Sequence, residues 1–327
     1  MAISIFDVQE NKVSSDLSSY AIYLYGPPKS GKTTFASQMP QPLILAAEIG
    51  YKAIPGVKAI DVSTWADIKK VIRELKDPRA KDLFKTIVFD TLDLTGGMCE
   101  KYICQQNGVE ALKEIAWGAG WGLMKKEFES VVNEIRRLGY SVIFISHSKD
   151  KTFKPKDGEE YNQITQTCGS SLNDIAKNAS DIIAYIDMTA DGERKLVLRS
   201  LDNKVDAGCR FKKITPVIDF SYEALTNAVE KAIEEEAKET NNKYLTEEKA
   251  VVTSQVEFDF EGLMNTFQNT VTKLMKTDPT FYQPKIVAIT NKILGKGKKV
   301  AELEESQAEL LSIIVDEVVA LAKDLKK

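Results

Sequence analysis

At 327 residues, with 43% hydrophobic and 28% charged residues, the chain is long enough for one large domain and a small one and has the make-up of an ordinary globular protein. Its longest apolar runs, such as residues 141–146 (SVIFIS), are far too short to span a bilayer, and the first twelve residues lack the basic start and apolar stretch of a secretory signal. The net charge of −4 is carried by one segment, residues 221–250, with eight glutamates against four lysines, so the remainder is neutral and free to hold a basic groove.

Strand and helix signals alternate through the first two thirds. Residues 20–25 (YAIYLY) read as a buried strand and 31–39 as a helix. Residues 42–48 (PLILAAE) and 57–62 (VKAIDV) are two more short strands. Ser63 or Thr64 can cap a helix over 65–76. Residues 85–90 (KTIVFD) form a strand, 122–139 a helix ending at Gly139, and 140–146 another strand. Residues 180–187 and 194–200, joined by MTADGE, suit a hairpin at one sheet edge. This order predicts an α/β fold with a mostly parallel sheet between helices. An acidic helix follows over 223–239, then a polar stretch, then helices over about 258–276, 282–294 and 301–326. The expected organisation is a core over 1–240, a linker over 241–257 and a small all-α domain over 258–327. Cys99, Cys104, Cys168 and Cys209 show neither CxxC pairs nor a zinc spacing and read as reduced, buried thiols of a cytosolic protein.

Residues 24–36 (LYGPPKSGKTTFA) fit the pattern G-x-x-x-x-G-K-[ST] between a strand and a helix. Gly26 and Gly31 let the backbone wrap phosphates, and successive N–H groups with the helix start supply positive potential. Gly26, Pro27, Pro28, Lys29, Ser30, Gly31, Lys32, Thr33 and Thr34 are thus the nucleotide-binding candidates. Lys32 is expected to reach the β- and γ-phosphates and Thr33 to hold Mg²⁺. Lys29 and Ser30 occupy free positions of the pattern. Asp90, at the end of TIVFD, is the second metal candidate, with a helix N-cap as the bland reading.

The order of these motifs resembles RecA-like ATPases. There the catalytic glutamate ends the strand after the first helix, where PLILAAEIG places Glu48. TIVFDTLDL resembles the strand with the metal carboxylate, and VIFISHSKD the strand ending in a polar sensor. The sensor position, usually glutamine, holds His147, the only histidine. The resemblance covers residues 20–148 and is to the compact RecA-like proteins of bacteriophages that act in single-strand annealing and recombination. It implies a RecA-like P-loop core that hydrolyses ATP with Mg²⁺, self-assembly into a ring or filament with ATP at the subunit interface, and a host-cytoplasmic location. Glu48, Lys32 and His147 would be the catalytic residues. A cation given in trans would come from Arg199, Lys204 or Arg210. Single-stranded DNA would be the partner, with a single-strand-binding protein as a possible second one.

DNA is expected on Lys149, Lys151, Phe153, Lys154 and Lys156, after the sensor strand, since lysines meet phosphates and an aromatic stacks on bases. A solvated hairpin is the alternative. Trp117 and Trp121, beside glycines in IAWGAGWG, form either a stacking surface or, in keeping with the usual burial of tryptophan, a packed turn. Lys292, Lys296, Lys298 and Lys299 form a basic loop in the helical domain that suits either DNA phosphates or a plain connection. Two rival functions remain: a metabolic P-loop kinase, which normally needs an arginine-rich lid not seen here, and a scaffold or loader in DNA replication or repair without pairing activity.

Overall fold

The computed structural model describes residues 10–154, 159–241, 245–246, 248–249 and 258–323. The chain divides into a larger unit, Ile3–Ser254, and a smaller one over the C-terminal helices. The larger unit begins with β1 (Val13–Ser14), β2 (Ile22–Gly26), α1 (Lys32–Ala36), β3 (Pro42–Ala46) and β4 (Ala59–Asp61). It continues through α2 (Trp65–Leu75), α3 (Pro78–Leu83), β5 (Thr86–Asp90), α4 (Leu92–Gln106), α5 (Ala119–Arg137) and β6 (Ser141–Phe153). Then come β7 (Tyr161–Gln166), α6 (Ser170–Ala179), β8 (Ile182–Met188), β9 (Arg194–Val197), β10 (Gly208–Cys209), β11 (Val217–Asp219), α7 (Tyr222–Glu239) and β12 (Leu245–Thr246).

The main sheet runs β11-β9-β8-β2-β6-β5-β3-β4, parallel from β8 to β4, with β9 and β11 added antiparallel at one side. Side chains alternate across a strand, and here the alternation sorts two cores. Tyr23, Leu45, Phe89 and Phe144 point to one face, where α2, α4, α5 and α6 supply Trp65, Ile103, Phe128 and Leu172. Leu24, Ile44, Val88 and Ile143 point to the other, against Phe35 of α1 and Leu225, Val229 and Ile233 of α7. The expected parallel sheet between helices is thus present, but the hairpin expected at a sheet edge is not at the edge: β8 lies in the parallel sheet beside β2, and β11 pairs with the outer side of β9. Thr64, not Ser63, caps α2, its side chain accepting from Asp67 N.

Other expectations change. The strand expected to stop at 146 runs on to Phe153, because β7 pairs with it from Ser148↔Gln166 to Phe153↔Tyr161. The polar sequence there has no apolar alternation to announce a strand. Within the stretch expected to be a linker, β12 pairs with β1 in parallel register, so this part of the chain is tied to the larger unit. The smaller unit holds α8 (Phe260–Thr277), α9 (Pro279–Leu294) and α10 (Ala308–Lys323) around Leu274, Tyr282, Ile286, Leu311, Ile314 and Val318. The last helix starts later than expected. Residues 300–307 instead form two short 3-10 turns, each closed by a side chain of its own: Lys299 N donates to Glu302 Oε2 and Glu304 N to Gln307 Oε1. Among the described residues, no helix is long and apolar enough to cross a membrane.

Candidate functional site

β2 delivers the chain to Gly26, and α1 begins at Lys32, so the loop between them sits at the C-terminal edge of the central strand. Lys29 and Gly31 both have positive φ, 61° and 96°. Such sign changes turn successive amides toward one side, the geometry of an anion nest. Lys32 is only 6% exposed. Its ammonium donates to the carbonyls of Gly26 (3.1 Å) and Pro27 (2.8 Å). Burial pulls its pKa below the ordinary lysine value, against the opposing pull of Asp90, Glu48 and Asp93.

The sheet register gathers the other candidates. His147 is the β6 partner of Gly26, and its Nδ1 lies 3.4 Å from Lys32 Nζ. A lysine ammonium only donates, so in a hydrogen bond between the two Nδ1 is the acceptor. Nε2 faces Glu48 Oε2 at 3.6 Å, an electrostatic contact longer than a hydrogen bond. Ala47 N and Glu48 N both donate to Asp90 O, at 2.8 and 3.2 Å, so the end of β3 bends over the end of β5. That turn leaves the Glu48 side chain 51% exposed, open to solvent beside the buried groups.

Asp90, 4% exposed, accepts a 2.7 Å hydrogen bond from Thr33 Oγ1. Burial raises its pKa, opposed by the Thr33 hydroxyl and Lys32. A hydroxyl and a carboxylate side by side form an all-oxygen pair suited to a hard cation such as Mg²⁺. Lys32, Thr33, Glu48, Asp90 and His147, scattered over 115 residues of sequence, therefore meet at one sheet edge.

Several residues at this edge are not evident from the sequence. Asp93, in the first turn of α4, accepts from Ser146 Oγ (2.7 Å) and Thr167 Oγ1 (2.6 Å), and Thr167 N donates to His147 O (2.9 Å). These bonds tie the start of α4 to β6 and to the foot of the β6–β7 hairpin. The i+3 spacing from Asp90 in FDTLD is the one sequence signal for Asp93. Arg194 on β9 donates to Ser30 O at 3.2 Å.

The cations considered for action in trans lie elsewhere. Arg199 donates to the carbonyls of Cys209 and Phe211, Lys204 pairs with Asp202, and Arg210 pairs with Asp181. In the hairpin, Lys149, Lys151 and Phe153 alternate along one face of β6, and Tyr161 faces Phe153 across the pair. The two rings stack at 5.5 Å and 14°, and Lys151 Nζ lies 4.8 Å over the Phe153 ring. The other face carries Ile164, which packs with Tyr25, Tyr185 and Val197. The lysine and aromatic face is thus the outer one. Lys154 pairs with Glu160 at 2.5 Å; Lys156 lies outside the described residues.

The preference for a packed turn at 115–122 is overturned. Leu112 is buried and Ile115 packs on the core, while Gly120 comes so close to the Leu112 carbonyl that a Cβ there would collide. The turn is anchored by these three, and Trp117 is left fully exposed and Trp121 half exposed.

A family model described as an AAA domain matches residues 18–211, the span that holds the phosphate loop, Glu48, Asp90, His147 and Arg194. The SPbeta prophage-derived uncharacterized protein YorG of Bacillus subtilis (strain 168) is 32% identical over 330 residues, covering 97% of this chain and 98% of its own.

Proposed function

Because the chain belongs to the AAA-domain family of P-loop ATPases, we propose that it binds and hydrolyses ATP at residues 26–34 and uses that cycle to pair single-stranded DNA, by annealing or strand exchange, in phage recombination. The prophage origin of its relative and the RecA-like motif order support the phage setting. In this reading the loop amides and Lys32 bind the polyphosphate and meet the charge that develops as the β–γ bond breaks. Thr33 and Asp90 would hold Mg²⁺, whose chemistry there is neutralisation of phosphate charge. Glu48, solvent-open beside this cluster, takes the proton of the attacking water. His147 stands between Lys32 and Glu48 and reports the state of the phosphates to the strand that carries it. Subunits would assemble with ATP between them and a neighbour's cation completing the site, with Arg199, Lys204 and Arg210 as the candidates first considered.

One observation carries the DNA reading: the strand that bears His147 continues without a break into the hairpin whose outer face is Lys149, Lys151, Phe153 and Tyr161. Such a face offers cations for phosphates and stacked rings for bases. Filter binding of labelled single strands with and without ATP tests it. ATP-dependent retention is expected; retention unchanged by ATP, or none, would favour the scaffold or loader reading.

A further inference from the structure

The guanidinium of Arg194 has no role in the ATPase reading above, yet it reaches the backbone of the loop from outside. Arg194 Nη1 donates to Ser30 O at 3.2 Å. Its guanidinium lies 5.0 Å over the ring of Phe220, which in turn stacks on Phe35 of α1 at 5.4 Å. A Cβ on Gly31 would come within 2.6 Å of Arg194 Nη1 and 3.2 Å of Phe220. The absence of a side chain at Gly31 is what lets the guanidinium approach.

The carbonyl of Ser30 and the N–H of Gly31 belong to one peptide unit. In a planar trans peptide these two groups point in opposite directions. A donor fixed on the carbonyl therefore fixes where the N–H points. Arg194 holds that carbonyl from the β9 side, so the Gly31 N–H is turned to the opposite side of the peptide. In this loop pattern that side is the concave one, toward the phosphates. The hydrogen bond is charge-assisted, which makes it stronger than a neutral one and polarises the amide. Without it, the peptide at φ 96° is free to flip, because glycine tolerates both orientations.

We infer that Arg194 is a positioning residue of the phosphate loop: through the Ser30 carbonyl it presets the Gly31 amide for the β-phosphate, and it rests on the Phe220–Phe35 stack to do so. The inference depends on the loop binding nucleotide, as proposed above. Arg194 touches the loop from outside, so its effect belongs to nucleotide affinity and not to the bond-breaking step.

The test compares the full-length protein with R194M and R194K by titration with fluorescent ADP and ATP and by steady-state hydrolysis. R194M keeps an apolar stem over Phe220 and loses the donor. Its ADP and ATP dissociation constants and its KM should rise together by about tenfold, the loss of one hydrogen bond to a charged group, with kcat changed less than about threefold. R194K keeps a cationic donor and should recover to within about threefold of the parent. Nucleotide affinity of R194M within twofold of the parent would overturn the inference while leaving the ATPase reading intact. So would a loss in R194K as large as in R194M, or a fall in kcat with affinity preserved. If the parent itself binds neither nucleotide, the ATPase reading fails and this one with it.

Discussion

Lys32, His147 and Glu48 form a line in which a buried cation, an imidazole and a solvent-open carboxylate touch in turn. The proposed function gives the ends of that line separable jobs. Lys32→Ala removes the cation facing the polyphosphate and should abolish measurable turnover in a phosphate-release assay; full hydrolysis in that variant would sink the phosphate-loop assignment. Glu48→Gln keeps shape and hydrogen bonding but cannot take a proton. It should bind ATP within about threefold of the parent and turn over at least 100-fold more slowly, the scale of a lost general base. Asp90→Asn should instead raise the Mg²⁺ concentration needed for binding. The thiols give an independent check on packing. Burial pushes Cys168 and Cys209 up to about 11 and Cys99 up to about 12, and raises Cys104 as well. A thiol is reactive only as the thiolate, so raising its pKa suppresses reaction at neutral pH. At pH 8 a thiol with a pKa near 11 is ionised to roughly 0.1%. Native protein should therefore react slowly with an aromatic disulfide reagent, faster as pH rises, and show all four thiols only in denaturant. At this scale the sequence was readable where chemistry is local. The phosphate loop is one contiguous motif, and Asp90 and Glu48 each end an apolar run. Arg194 was not readable, because its partner Ser30 is 164 residues away and only the β8–β9 hairpin brings them together.

Elements were legible where their periodicity served a core and obscure where pairing alone made them. α2 announced itself through apolar spacing and a Thr64 cap, whereas residues 148–153 carry no such pattern and become strand through their partner β7. The outward tryptophans misled for the converse reason: the turn at 112–120 is held by Leu112, Ile115 and Gly120, so the indoles need not be buried. Helix α4 offers a test of packing against propensity. Gly96 faces α6 so closely that a Cβ would strike Leu172, while Gly97 has nothing within 4 Å. Alanine gains up to about 1 kcal/mol over glycine inside a helix, but overpacking a core costs about 1–3 kcal/mol. Gly97→Ala should therefore raise the midpoint of denaturant unfolding and Gly96→Ala should lower it, opposite signs from adjacent positions. The β6–β7 hairpin separates charge from stacking in the same way. Replacing Lys149 and Lys151 with alanine should weaken single-strand binding and flatten its salt dependence, by about 0.7 in logarithmic slope per lost phosphate contact. Phe153→Ala, which also removes the ring under Lys151 and beside Tyr161, should cost about 1–3 kcal/mol of binding and leave the slope nearly unchanged. Unaltered affinity in all three would make the hairpin a solvated ribbon.

For the whole molecule, the division of labour follows from where the cores lie. Both faces of the sheet are filled by residues from Leu17 to Ile233, and every group of the candidate site, together with Arg194, falls inside that span. The three C-terminal helices bury Leu274, Leu311, Ile314 and Val318 among themselves. The net charge of the chain hides this arrangement, since the acidic excess sits in α7 and the polar stretch after it and not at the site. A chain ending at Ser254 keeps β12 paired to β1 and should bind ADP within about threefold of the full protein and hydrolyse ATP at a comparable basal rate, because it loses no atom of the site and no member of either sheet core. Its DNA binding is the sharper measurement. If the outer face of the hairpin receives the strand, the shortened protein retains ATP-dependent binding with nearly the same salt slope. The helical unit has its own basic loop, where Lys296, Lys298 and Lys299 are exposed around Gly295 and Gly297. If that loop is a phosphate contact, truncation removes up to three cations at once, and the slope falls by about 0.7 for each of them that met a phosphate. A tenfold loss of affinity with a slope lower by about two would therefore move the DNA path from the hairpin to the C-terminal helices, and Lys149 and Lys151 would then have to be neutral in the same assay.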